Sequence, residues 1–289
     1  VSEDDGAPES PPERSVAQNA ELALLLEVTG TPKPGNVDRA HDYDDLRFEH
    51  FMAGAVGAAP GLRLAVEGDR IGRAFERAVA GMSQQTAGNT QFGALLALVP
   101  LVSAAADGEL TGARAGAIAS ETTIEDAADF YRAFEHVDVA VDDPPDGLEP
   151  LDVRRGAAAV PVLQERQLTL FDIMERSAEL DGIAQEWTGE FERSFHAADR
   201  LLSLDGTVPD RTAQVFLELL AAEPDTFVAT QHDRATAEET TERANEALAG
   251  DGDPWALANE FVAEDINPGT TADLTAAALF IALERGLDV

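Results

Sequence analysis

Four stretches of the chain, residues 29–45, 88–93, 225–234 and 267–273, break otherwise apolar helical sequence with Gly, Pro, Asn and Thr. A regular helix leaves no backbone N–H free to meet an anion, so breaks of this kind are where a helical protein can wall a ligand site. The first carries the most chemistry. Residues 31–38 read Thr-Pro-Lys-Pro-Gly-Asn-Val-Asp, and His41, Asp42, Tyr43, Asp44 and Asp45 follow. Pro32 and Pro34 stiffen the backbone around Lys33, which would hold an ammonium at a fixed point, as a phosphate site requires. The alternative is a lysine that merely survives on the surface. Asp42 and Asp45, with Glu49 one turn on, are oxygen donors suited to magnesium; a helix cap is the competing role and the preferred one for Asp44. His41 can be a proton donor or a hydrogen bonder of the core, and of the remaining histidines only His232 suggests more than structure.

The second break, Gly88-Asn89-Thr90-Gln91-Phe92-Gly93, stands at the start of an apolar helix, where unpaired N–H groups and the helix dipole favour an anion. The last, Asn267-Pro268-Gly269-Thr270-Thr271-Ala272-Asp273, again places Gly and Thr before a helix. Each can cradle phosphate or simply cap a helix.

The elements that must position these residues are helical. No segment alternates apolar and polar residues as a strand does, so the chain is expected to be all-α. Ser15 with Gln18 forms a capping box for a helix to about Val28, Thr123 with Asp126 one before 127–137, and Thr236 with Glu239 one opening 237–248. In 181–202, Ile183, Trp187, Phe191, Phe195 and Ala198 form one apolar stripe. Further helices are expected at 45–58, 62–80, 91–106, 111–120, 169–180, 211–222, 254–265 and 271–286, Pro254 taking the first position of its helix. Roughly eleven helices with short loops imply one compact domain over 15–289. Residues 1–14 read as a disordered acidic tail, and 138–156, with its Asp-Asp-Pro-Pro run, as an exposed excursion.

Composition excludes whole classes of function. With 55 acidic against 20 basic residues the formal charge is −35, which argues against a nucleic-acid partner or an anionic membrane surface. The absence of cysteine excludes disulfides, Cys-ligated zinc and thiol catalysis. The longest apolar run, 93–106, is too short to span a bilayer, and the N-terminal residues lack the pattern of a signal peptide, so a cytoplasmic protein is expected. Lys33 is the only lysine; the other nineteen basic residues are arginine. Such an acidic, lysine-starved composition is similar to that of proteins from salt-accumulating organisms.

Taken in order, these segments resemble the triphosphoribosyl-dephospho-CoA synthase family, the CitG/MdcB type. The resemblance is carried by Leu25-Leu26-Glu27-Val28 leading into residues 31–38, by His41 with Asp45, by Asn89-Thr90 with Gly93, and by Pro268-Gly269 with Ala272-Asp273-Leu274. Residues 168–174 and 183–187 resemble the archaeal-type branch. Two departures stand out: Tyr43 occupies the place of the family's middle carboxylate, and Ala40 precedes His41 where the family has glycine.

The resemblance implies that ATP and 3′-dephospho-CoA give 2′-(5″-triphosphoribosyl)-3′-dephospho-CoA and adenine, a precursor of the prosthetic group of acyl-carrier subunits, with such a carrier as a downstream partner. It implies magnesium as cofactor, with Asp42, Asp45 and Asp273 as its ligands. Lys33, Asn36, Asn89, Thr90, Gly93, Gly269, Thr270 and Thr271 would hold the nucleotide, and Lys33, Asp38, His41 and Asp45 would be catalytic. A related transferase with another acceptor and, from a different class, a non-catalytic helical binding protein are the alternatives. A scaffold has no need of Lys33 or of the Asn-Thr-x-x-Gly and Pro-Gly motifs.

Overall fold

Two helices are too apolar to meet water on any side, and the rest of the fold is built to cover them. The computed structural model describes residues 14–144 and 148–289, so the acidic tail expected at 1–14 lies, but for Arg14, outside the described residues. In chain order the α-helices are α1 Val16–Glu27, α2 Phe48–Val66, α3 Ile71–Met82, α4 Phe92–Ala106, α5 Gly112–Ser120, α6 Ile124–Ala133, α7 Val160–Arg166 and α8 Leu170–Ser177. There follow α9 Gly182–Thr188, α10 Glu192–Ser203, α11 Val208–Ala222, α12 Thr226–Gln231, α13 Arg234–Ala249, α14 Pro254–Ala263 and α15 Gly269–Glu284. Two 3₁₀ segments, Glu149–Leu151 and Val153–Ala159, precede α7, and there is no strand among the described residues.

α4 and α15 are the buried pair. Leu95, Leu98, Val99, Leu101 and Val102 of α4 and Leu279, Phe280 and Ile281 of α15 are fully buried, which accounts for their uniform rather than one-sided hydrophobicity. α15 packs on α1, α4, α10 and α11, while α2 and α3 pair closely beside α1 and α4. α11 to α14 enclose a smaller cluster around Phe216, Leu220, Val228 and Phe261. A third cluster, Val28, Val37 and Phe51, pins the long loop between α1 and α2 to the body. No helix among the described residues is long and apolar enough to cross a membrane.

The all-helical expectation holds among the described residues, but they form fifteen α-helices in place of roughly eleven, and the main differences have local causes. Pro60 lies inside α2 rather than ending it; the break comes at Gly68, whose φ of +77° suits the left-handed turn. The single helix expected over 181–202 is two, because Glu190 and Phe191 both take positive φ. The core stripe of Ile183, Trp187, Phe191 and Ala198 is nonetheless real and buried. α13 begins at Arg234 under Asp233, which accepts from the Thr236 amide, so Thr236 is not its cap. The boxes at Ser15 and Thr123 are present as expected. α7 and the 3₁₀ segments occupy much of what sequence suggested was excursion and loop, and α12 lies within the 225–234 break.

Candidate active site

The loop after α1 turns its most conspicuous residue inward. Lys33 is fully buried. Its Nζ donates to the Glu27 carboxylate and, at 2.8 Å, to Asn36 Oδ1, and it lies 5.6 Å from the centre of the Phe216 ring. Asp38, also buried, is the hub of the loop. Its carboxylate accepts from the amides of Lys33 (2.9 Å), Ala40 (2.7 Å) and His41 (3.0 Å), and pairs with His41 Nδ1 at 2.9 Å. With those donors in place Asp38 is a structural acceptor, and His41 is fixed by it against the Trp255 ring at 5.8 Å. Tyr43, the departure from the family pattern, donates its hydroxyl to the Gly35 carbonyl at 2.5 Å and approaches the Ile266 carbonyl at 3.2 Å. Gly35 has φ +74°, and a Cβ there would lie 2.2 Å from the Ile266 carbonyl oxygen, so only glycine lets this loop seat on residues 266–268. Asp42 accepts from the Phe48 amide at 2.8 Å, at the start of α2. Asp45 is exposed, and Glu49 pairs with Arg47 on the surface.

The two helix starts proposed as anion cradles already hold carboxylates of the chain itself. Asp273 Oδ1 accepts from the Ala94 amide at 2.7 Å at the start of α4, and Gly93 has no Cβ to obstruct it. Asp225 Oδ2 accepts from the Thr271 amide and hydroxyl, both at 2.7 Å, at the start of α15, while its Oδ1 takes the Phe227 and Val228 amides of α12. Thr270 meets the Thr226 hydroxyl at 2.9 Å, and Thr226 also accepts from the Gly182 amide at 3.0 Å. Asn89 accepts from the Phe92 amide at 3.0 Å. The first and last motifs are joined directly, since Asn36 Nδ2 donates to Asn267 Oδ1 at 2.9 Å.

These motifs meet at one pocket of about 320 Å³. Asn36, Asn89, Thr90, Gly93, Gly269, Thr270 and Asp273 line it; Lys33, Asp38, His41, Asp42, Asp45 and Thr271 do not. Gln91 and Asn267, inside the 88–93 and 267–273 breaks, also line it, as do Glu27 and Asp181, which sequence reasoning did not single out. Glu27 had a signal: it falls three and four residues after Leu24 and Ala23, on the buried stripe of α1, where an acid is out of place. Asp181 had none beyond that of a cap, accepting from the Ala184 amide at 2.7 Å. Phe92, Phe130 and Phe134 form an aromatic wall beside this polar group, Phe92 and Phe134 being 4.8 Å apart by ring centre. Thr90 Oγ1 and Gln91 Oε1, both on lining residues, have no hydrogen-bond partner among the described residues.

Negative charge accumulates here. Burial pushes the Asp273 carboxyl well above the usual carboxylate range against the pull of the Ala94 amide, and the nearby charges of Glu27, Asp225 and Asp181 push it further. Burial likewise raises Glu27, which the Lys33 ammonium pulls back down, and raises Asp181 and Asp225 against the amides that hold them. Asp181 and Asp273 keep part of their surface free of protein, and that surface belongs to the pocket wall. No three His, Asp or Glu among the described residues are placed to hold a metal ion by themselves, and the set Asp42, Asp45 and Asp273 is divided between an exposed loop and the pocket. Magnesium, however, takes only one or two protein carboxylates when phosphates complete its shell, and Asp181 and Asp273, both on the pocket wall, are donors of that type.

The family model of ATP:dephospho-CoA triphosphoribosyl transferases, CitG, matches residues 13–288, nearly the whole chain. The chain belongs to the CitG family. A crystal structure from Archaeoglobus fulgidus, provisionally assigned as a triphosphoribosyl-dephospho-CoA synthase, is similar over 82% of this chain and 100% of that one, with 28% identity and a TM-score of 0.67. No curated protein matches the chain. Membership makes this CitG-family protein a transferase, with the transfer of a triphosphoribosyl group from ATP to dephospho-CoA as its activity.

Proposed function

We propose that the pocket between α1, α4, α9 and α15 is where ATP gives up its triphosphoribosyl group. The observation that carries this reading is convergence: Asn36 from the loop after α1, Asn89, Thr90 and Gly93 from the approach and start of α4, and Gly269, Thr270 and Asp273 from the first turns of α15 line one cavity. Breaking the N-glycosidic bond of ATP builds positive charge on the ribose, and a pocket lined by Glu27, Asp181 and Asp273 is suited to stabilise it. The side-chain amides of Asn36, Asn89 and Asn267 suit neutral hydroxyl and nucleobase groups. The Phe92, Phe130 and Phe134 wall offers apolar contact to the uncharged part of the acceptor.

Asp181 and Asp273 would hold magnesium together with the substrate's phosphates. When bound, the ion would neutralise triphosphate charge that these carboxylates would otherwise repel. The acid-rich surface supports work in concentrated salt inside the cell, without a nucleic-acid partner, and the product's role supports an acyl-carrier protein as the later recipient.

Incubation with ATP, magnesium and dephospho-CoA in molar potassium chloride, followed by chromatography of the bases and nucleotides, tests the reading. Free adenine that appears only with acceptor present is expected. Unchanged ATP, or ADP and AMP in place of adenine, would overturn it.

A further inference from the structure

Lys33 is fully buried and does not reach the pocket, whose wall carries a different cation, Arg176. Two of the Lys33 donor directions are taken by Glu27 and Asn36, and the Phe216 ring covers another side. Both of its polar partners do line the pocket, and Asn36 passes the constraint on to Asn267, a third lining residue, at 2.9 Å. A triphosphate therefore cannot be its ligand without rebuilding the loop. The groups it touches can still act on one.

We infer that Lys33 is a positioning residue that works from behind the pocket wall, holding Glu27 as an anion and Asn36 in register, and that Glu27 is the base that takes the proton of the acceptor hydroxyl. This rests on the proposed triphosphoribosyl transfer. In that reaction the acceptor oxygen bonds to the ribose C1′ as the C1′–N bond breaks and its electron pair leaves with adenine. The hydroxyl proton passes to the Glu27 carboxylate, and adenine gains one proton from solvent, so protons and charge balance.

The surroundings of Glu27 make the dependence on Lys33 specific. Asp38 from the same loop and Asp273 from α15 are the other charges bearing on it, and both oppose its ionisation. α4 contains no charged residue, His50 of α2 is turned to the Arg47 amide, and Glu218 of α11 is paired with Arg200. Among the described residues Lys33 is thus the charged group that favours the carboxylate, and its buried stem is aliphatic, which makes methionine a substitute of similar length.

Lys33→Met, Glu27→Gln and the double variant test the assignment. For Lys33→Met the expected results are an ATP affinity within about twofold of the parent, a kcat reduced on the order of 100-fold at pH 7, and an acidic limb of the kcat/KM profile moved to higher pH by at least about one unit, because Glu27 without its cation ionises later. The double variant should be no less active than Glu27→Gln alone. An ATP affinity weakened tenfold or more, with the limb unmoved, would make Lys33 a phosphate ligand and overturn the inference. Should Lys33→Met fail to fold because Glu27 is left buried without a partner, the double variant carries no charge at this spot and decides instead. ATP affinity equal to that of Glu27→Gln supports the inference, and a further tenfold loss overturns it. If the parent releases no adenine at all, the functional reading falls. The pair is then judged by ¹³C titration of the Glu27 carboxyl, which should rise in Lys33→Met and would refute the pairing if it stayed in place.

Discussion

The Asp273 carboxylate rests against the bare Cα of Gly93: a Cβ at that position would stand 2.0 Å from Asp273 Oδ2, while the next amide, of Ala94, donates to Oδ1 at 2.7 Å. A glycine at the start of an apolar helix thus serves a neighbouring acid. It allows a carboxylate into the place where an external anion would otherwise sit.

Gly93→Ala should therefore displace Asp273 and damage function more than folding. Adenine release is expected to fall on the order of 100-fold, a barrier change of about 2.7 kcal/mol, while the urea midpoint moves only modestly. Activity close to that of the parent would show that Asp273 is not needed where it stands.

Asp273→Asn should uncouple stability from activity in a pH-dependent way. Burial holds the Asp273 carboxyl above its ordinary range, so the folded protein keeps this proton more tightly than the unfolded chain does. Its contribution to stability is complete below the unfolded value of about 3.9 and is lost as pH rises through the folded value. Asn stays neutral and can still accept the Ala94 amide. In urea titrations at fixed salt the variant should match the parent near pH 4 and exceed it increasingly toward pH 8, while losing adenine release. A stability difference independent of pH would contradict this.

Asp42 and Asp45 should separate from each other and from the chemistry. Asp42→Ala removes the acceptor of the Phe48 amide and is expected to cost about 1 kcal/mol of stability with activity retained. Asp45→Asn, on an exposed site off the pocket, should be nearly silent in both respects. Adenine release measured across a magnesium titration checks both, and a lost or displaced magnesium optimum in either would return that residue to the site.

The helix breaks made much of this site visible in advance. Gly, Pro, Asn and Thr mark them, and Asn36, Asn89, Thr90, Gly93, Gly269, Thr270 and Asp273 all stand on them and reach one pocket. The direction in which a loop faces was not visible. Two prolines around Lys33 indicate a fixed ammonium, but only the α1 register shows that Glu27 lies behind the loop to receive it. Likewise, free amides before a helix read the same whether a phosphate or a distant Asp225 or Asp273 fills them. The hidden break inside 181–202 has a similar origin, since Glu190 and Phe191 take positive φ without the glycine that usually announces it, and the apolar period runs on across them.

Salt should stabilise the protein. A formal charge of −35 repels within one body, and raising salt from 0.1 M to 1 M shortens the Debye length from about 10 Å to about 3 Å. Most of the ion pairs are surface pairs of arginine, which salt weakens but which contribute little. The melting temperature is expected to rise by roughly 10 °C between dilute buffer and molar potassium chloride, the equivalent of a few kcal/mol for a chain of this size. A melting temperature unchanged by salt would contradict it.

The most direct test of the pocket as the place of transfer is a mass measurement of the acceptor after reaction with ATP and magnesium, parent and Asp273→Asn side by side. The account predicts that the parent converts dephospho-CoA to an adduct heavier by one triphosphoribosyl group, in equal amount to the adenine released, and that Asp273→Asn, folded and at least as stable at neutral pH, forms almost none. Adduct formed equally by both proteins, or ATP consumed by the parent with no gain in acceptor mass, would contradict it.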